Sequence, residues 1–538
     1  MLPRCAAPHV RSTALSRRQF LERIGQVSGA ALVGSLLTLD LLARDRGGFR
    51  LGGHAPSEGR NRVLILGGGV AGLAAAYELR KLGYHVRVIE ARTRPGGRCW
   101  TARAGTTETE IGGETQVCRF TNGNSFNLGP MRIPHHHATT LDYCREFGLP
   151  LVPFTNFNQA AFVHRAGQPR RTMREITTDL RGHTSELLAK VARRDALDVP
   201  LTAEDREKLI AYLRGEGRLT EALDYPRGGD TSGFLNYRDH PRGYAASPGA
   251  TADFGEPSAP LELETLIKAG FAQPDLAMRE LHQQDSMLTI SGGMDRLPHA
   301  FAERLDGMID YGAEVREIRR TAEGGVVVSG VAESGAWTKE ADFCICALPP
   351  HLLAGLAADF SAETLAALRL PIPDGAGKIG LQFKRRFWEE DDEIFGGRSV
   401  TDQAISQLYY PFEGFGKPGS GVMVGYYHFS DRHAEFDVPH AEREARALAE
   451  GALLHPQYPA EFEHSFSVEW NRIRHSGMSW AWWHSGADFD RMLTTLRAGD
   501  GPFYFAGDWA SVLTGWQAGA FVTAQSAAAA IHARAHAS

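Results

Sequence analysis

Residues 63–72 read VLILGGGVAG. Val63 to Leu66 form a short apolar run, the texture of a strand buried on both faces. Gly67, Gly69 and Gly72 follow in GxGxxG spacing, and Ala71 to Leu82 reads as a helix, small residues first and charges later. His85 to Ile89 is a second strand, ended by Glu90. The unit is βαβ, the first turn of a doubly wound dinucleotide-binding domain of the α/β class. Gly67 permits the tight turn, Gly69 lets a pyrophosphate approach the backbone, and Gly72 lets helix and strand pack closely. The helix N-terminus offers free N–H groups and partial positive charge to phosphates. Glu90 stands where a carboxylate accepts ribose hydroxyls, and it would repel a 2′-phosphate, which argues against NADP.

Outward from that motif, 538 residues at 43% hydrophobic suffice for more than one packed domain. A net charge of −6 argues against a nucleic-acid binder. Ser16-Arg17-Arg18-Gln19-Phe20-Leu21, followed by a diluted apolar run from Ile24 to Ala43, reads as a twin-arginine export signal. Residues 1–45 are therefore expected to be a signal peptide read by the twin-arginine machinery, with the protein periplasmic or secreted. Such export carries folded proteins, which suits a chain loaded with a cofactor beforehand.

Apart from Cys5 in the signal, the cysteines are Cys99, Cys118, Cys144, Cys344 and Cys346, odd in number and without repeated spacing. Cys344 and Cys346 share one face of a strand and read as small buried hydrophobes. His135-His136-His137 invites a metal reading, but adjacent residues do not easily converge on one ion, and no acid or cysteine set lies nearby; no metal is expected. The pairs Arg319-Arg320 and Arg385-Arg386 read as solvated.

Further motifs carry a resemblance. "EARTRPGGR" places Gly96, Gly97 and Arg98 just after Glu90 and resembles the second phosphate loop of the flavin amine oxidases. "SGGMDRLPHAFAERL" (291–305), "GAEVREI" (312–318), "ADFCICALPP" (341–350) and "FYFAGDWASVLTGWQAGAFVTAQSAA" resemble that family's other FAD-domain segments. The resemblance implies FAD, with Arg98 near the pyrophosphate and Val315 meeting the adenine through its backbone. It also implies Gly507 and Asp508 at the phosphate and ribityl end. No cysteine follows Cys346, so the cysteinyl flavin link of monoamine oxidases has no counterpart and FAD is expected to bind non-covalently.

"NLGPMRIP" (127–134) sets one guanidinium, Arg132, among apolar residues and prolines. A charge so placed needs an anion. The stretch Gly129-Pro130-Met131-Arg132 resembles the L-amino-acid oxidase branch, where the arginine pairs with the substrate carboxylate. A planar fork can give a carboxylate two parallel hydrogen bonds. By the same resemblance Lys378 holds a water at flavin N5, Trp516 walls the flavin, and Tyr426 is the opposing, carboxylate-bonding tyrosine. Tyr427 faces the other way on a strand and takes that part if the alignment slips by one. Trp480 to His484 is either core or substrate wall.

The expected domains are 60–110, 285–349 and 491–538 for FAD, 111–165 and 350–490 for a mixed-sheet substrate domain, and 166–284 for a helical subdomain. The activity implied is oxidative deamination of an L-amino acid, by hydride transfer from Cα to flavin N5. Dioxygen is the acceptor, and the products are 2-oxo acid, ammonia and hydrogen peroxide. Tryptophan 2-monooxygenase, amine or polyamine oxidase, and an exported flavin-containing binding protein are the rival readings. Homo-oligomerisation is left open.

Overall fold

The apolar run after Asn61 forms a strand because both of its faces are covered. A computed structural model describes residues 61–226, 240–246, 255–273, 280–429 and 432–537. Residues 1–45, where the export signal is expected, lie outside them, as do nearly all of residues 225–233 and 247–255, where the sequence offers turn signals. The strand β1 (Arg62–Leu66) leads into α1 (Val70–Lys81) and β2 (His85–Ile89). With β3 (Ile309–Asp310), β4 (Phe343–Cys346) and β5 (Phe503–Phe505) these build a five-stranded sheet of order β3-β2-β1-β4-β5, parallel throughout. Its strands fall in residues 60–110, 285–349 and 491–538. The closing helix α2 (Gln517–Ala537) packs against α1. Cys344 and Cys346 pair with Leu64 and Leu66 in register; both are buried and free.

A seven-stranded sheet lies over the cofactor domain. Its order is Phe462–Glu469, Gly377–Phe383, Gly421–His428, Gln407–Tyr409, Arg398–Thr401, Phe162–His164 and Arg171–Thr172. The strand Gly377–Phe383 is buried along its whole length, so a lysine within it cannot reach bulk water. The edge strand Arg171–Thr172 corrects the expected boundary at 166: the helical segment starts at Met173. Thr172 is its N-cap, in a capping box with Glu175. The helices Met173–Arg193 and Ala203–Glu216 then pack on each other through Ala189, Ala192, Ile210 and Leu213.

Leu151–Thr155 pairs antiparallel with Ser286–Ile290, and Ile133 bridges to Leu288. That bridge lays residues 129–137 beside residues 280–288, although they are far apart in the chain. Among the described residues no helix is long and apolar enough to cross a membrane.

Candidate functional site

The cofactor end is made mostly of backbone. Gly67 has φ +106°, a region closed to most side chains, and a Cβ on Gly72 would stand 2.0 Å from the Gly67 carbonyl oxygen. A Cβ on Gly69 meets nothing within 4 Å, so this glycine faces open cavity. The second loop folds onto the first: Gly96 N–H donates to Gly68 O at 2.7 Å, and Gly97, at φ +57°, sits against Gly69. Buried Glu90 accepts from Gly68 N at 2.6 Å and Arg92 N at 2.7 Å, so its carboxylate is fixed at the end of β2. Arg98 forms an ion pair with Asp508, 410 residues away, and Asp508 also accepts from Gly515 N at 3.0 Å.

One cavity joins these groups. Gly67, Gly69, Glu90 and Arg98 line it at the cofactor end, and Gly507 and Asp508 close the far side. Gly129 and Pro130 also line it, whereas Met131 is buried in a cluster with Phe154, Met287 and Tyr409. Val315 sits on the strand Glu314–Arg320 of a mixed four-stranded sheet, packs against the core, and is not among the lining residues. Glycine N–H groups at a helix N-terminus, an acid after the second strand and an arginine opposite suit a pyrophosphate-linked dinucleotide.

The far end of the cavity is built from side chains. Lys378, Tyr427, Trp480, Trp516 and Gln517 line it. Lys378 and Tyr427 are paired residues on neighbouring strands and therefore share a face. The Lys378 ammonium lies 4.4 Å from the centre of the Tyr427 ring and donates to Gly129 O. Burial, with Arg132 nearby, holds Lys378 well below the ordinary lysine range. Burial pushes the Tyr427 phenol up to about 12.

This geometry corrects the tyrosine. Tyr426 pairs with Ile379, faces the core, packs its ring at a tilt against Phe436 and donates to buried Glu469 at 3.0 Å. It cannot touch a ligand in the cavity. The register shifts at Ile379/Gly380, a bulge that leaves Gly425 unpaired opposite them. Past that bulge Tyr427 is the residue turned to the cavity.

Arg132 is half-buried beside this wall and is not itself a lining residue. Its Nη1 donates to Tyr409 Oη at 3.3 Å and its Nη2 to Gln283 Oε1 at 3.1 Å. Both partners are neutral, the Nε is buried without a hydrogen bond, and among the described residues no carboxylate pairs with it. Burial would raise the Tyr409 phenol, but Arg132 and Arg398 outweigh it and hold the group below its ordinary value. Tyr409 belongs to the cluster against which Tyr427 and Trp516 pack, which joins the arginine to the cavity wall.

Tyr409 and Gln283 escaped the sequence reading. No local pattern marks Gln283; only the Ile133–Leu288 bridge brings it to Arg132. Tyr427 stands opposite Lys378 only because of the bulge at Gly425, which no alternation in the sequence shows. In the tryptophan run, Trp480 lines the cavity, Trp482 is exposed, and Trp483 packs on the core beside Phe489. Arg386 corrects the solvated reading: it is buried and ion-paired to Glu389, whereas Arg385 is half-exposed among Asp391, Glu390 and Glu461. His136 and His137 do converge, on a residue the sequence did not offer, His282.

Backbone cradle, ribose acid and cavity at the carboxyl ends of a parallel sheet define a dinucleotide-binding protein with a second chamber built of side chains. The chain belongs to the flavin-containing amine oxidoreductases, whose family model matches residues 70–532. Its cofactor is FAD. The flavin-dependent L-tryptophan oxidase RebO of Lentzea aerocolonigenes is 28% identical, covering 89% of this chain and 99% of its own. The putative L-amino-acid oxidase YobN of Bacillus subtilis (strain 168) is 26% identical over 90% of this chain and 96% of its own. Among solved structures, putrescine oxidase bound to putrescine matches with a TM-score of 0.58 at 21% identity, covering 88% of this chain and 99% of that one. That likeness carries the fold.

Proposed function

We propose that this protein oxidatively deaminates an L-amino acid to the 2-oxo acid, ammonia and hydrogen peroxide. The observation that carries the reading is Arg132, a half-buried guanidinium held by two neutral partners with no protein carboxylate beside it among the described residues. A substrate carboxylate supplies the missing charge and can take two parallel hydrogen bonds. Simple amines carry no such group. The relatives named as L-amino-acid and L-tryptophan oxidases support the same substrate class.

The bound FAD supplies hydride acceptance and the return of two electrons to dioxygen. The protein's own groups position and exclude. Arg132 fixes the carboxylate, with Tyr409 and Gln283 fixing Arg132. Tyr427 and Trp516 wall the substrate and keep water from its reacting carbon. Lys378, its pKa lowered by burial and its Nζ tied to Gly129 O, holds a nitrogen donor at a fixed point of that space. Orientation of this kind contributes several kcal/mol, up to ~7–11 in well-aligned models.

The test is a screen of L-amino acids with peroxide detection and product analysis, repeated on Arg132→Ala. Two charge-assisted hydrogen bonds at about 1.5–3 kcal/mol each predict a fall in kcat/KM of roughly 10²–10⁴-fold, with FAD retained. An Arg132→Ala enzyme with normal kinetics sinks the reading. A carboxamide plus carbon dioxide instead of keto acid and ammonia would mark a monooxygenase, the rival that Trp480 in the cavity favours.

A further inference from the structure

The loop after Pro134 turns sharply enough that two successive histidines face one point. His137 N donates to Pro134 O at 3.0 Å, and the rings of His136 and His137 stand 4.7 Å apart at 79°. The segment brought alongside by the Ile133–Leu288 bridge supplies the third ring. His136 Nε2 lies 2.9 Å and His137 Nε2 3.2 Å from the same atom, His282 Nδ1. All three ligand atoms fall within 4.8 Å of one another.

Hydrogen bonding accounts poorly for this cluster. A neutral imidazole nitrogen is either one donor or one acceptor, so His282 Nδ1 can satisfy one of its two neighbours well and not both. A cation satisfies all three with their lone pairs. Two nitrogens bound to a tetrahedral zinc at about 2.0–2.1 Å lie about 3.3 Å apart, close to the separations found. Three imidazoles with a fourth position left to solvent is a known coordination pattern for such ions.

We propose that His136, His137 and His282 form a binding site for a divalent transition-metal ion of the zinc type. The site does not depend on the amino-acid reading above. It does adjoin the chamber: the His137 ring is 5.1 Å from Trp516, which lines the cavity, and His282 precedes Gln283, which holds Arg132. An ion there anchors the 280–285 segment to the 129–137 loop and so sets how firmly Gln283 holds the guanidinium. Its role is that of a positioning element with no part in electron transfer.

The test uses the untagged, FAD-loaded full chain, stripped with chelator and then dialysed to equilibrium against Zn²⁺. The expected result is one zinc per chain with a Kd of about a micromolar or tighter, and X-ray absorption showing imidazole nitrogens around it. His282→Gln should weaken binding at least about a hundredfold, since losing even a group that orients a metal-bound histidine costs roughly 10–100-fold. His135→Gln, an exposed neighbour outside the cluster, should bind as the parent does. Failure of the parent to bind near-stoichiometric zinc overturns the proposal, as does unchanged binding in His282→Gln. Should that variant lose its flavin spectrum, His136→Asn and the absorption spectrum of the parent decide on the same criteria.

Discussion

The two ends of the cavity are built on different terms. The cofactor end is largely main chain: glycines that admit close approach, a helix terminus, and Glu90 tied to the N–H groups of Gly68 and Arg92. The chamber end is almost all side chain, with Lys378, Tyr427 and Trp516 in its wall and Arg132, Gln283 and Tyr409 packed beside it. Backbone recognition depends on local spacing and tolerates few alternatives. Side-chain recognition depends on which strand lies beside which. A family can therefore keep one cofactor while its members take different substrates.

The contrast predicts how each end breaks. Gly72→Ala drives a methyl into the Gly67 carbonyl, which a rigid strand–helix junction cannot yield. FAD affinity should fall at least about a hundredfold, an overpacking cost near 3 kcal/mol, read by flavin content after gel filtration. Retained flavin would mean that the junction is softer than the chamber. At the other end, Tyr427→Ala should lower kcat/KM by roughly tenfold or more through loss of a packed aromatic wall, with flavin content unchanged. Tyr426→Phe should leave kinetics alone and cost about 1–3 kcal/mol of stability, because Glu469 loses a buried donor, as urea unfolding would show. Reversed results for the two tyrosines would return Tyr426 to the site.

The smallest effect concerns Lys378. Burial, with Arg132 adding to it, holds its pKa in the folded chain well below the ordinary 10.5. Between the two values the unfolded chain binds more protons, so the parent gains stability as pH rises through that window. Lys378→Met removes the dependence. Without substrate it should melt a few degrees higher than the parent at neutral pH, with the gap closing toward pH 10.5. A variant that melts lower at neutral pH would show that the lysine is charged and paired in the resting protein.

The same division explains what was readable beforehand. Gly67, Gly69, Gly72 and Glu90 fall within one βαβ unit, and their spacing is itself the structure. Arg98 and Asp508 were each legible from a motif, though their ion pair across 410 residues was not. Arg132 announced itself through its apolar setting, whereas Gln283 and Tyr409 reach it through sheet topology that no local pattern encodes. His282 was hidden for the same reason, which is why the histidine run showed no third ligand. Tyr426 was taken from the resemblance, and it stands one position short of the residue that the unpaired Gly425 turns toward Lys378.

That unpaired residue is a place where the chain can change length without changing what the chamber presents. Removing Gly425 would make Val424 and Tyr426 consecutive paired residues and leave Tyr427 opposite Lys378. A homologue one residue shorter at this point should therefore keep the same wall, and its tyrosines should be counted from the lysine they face and not from the end of the strand.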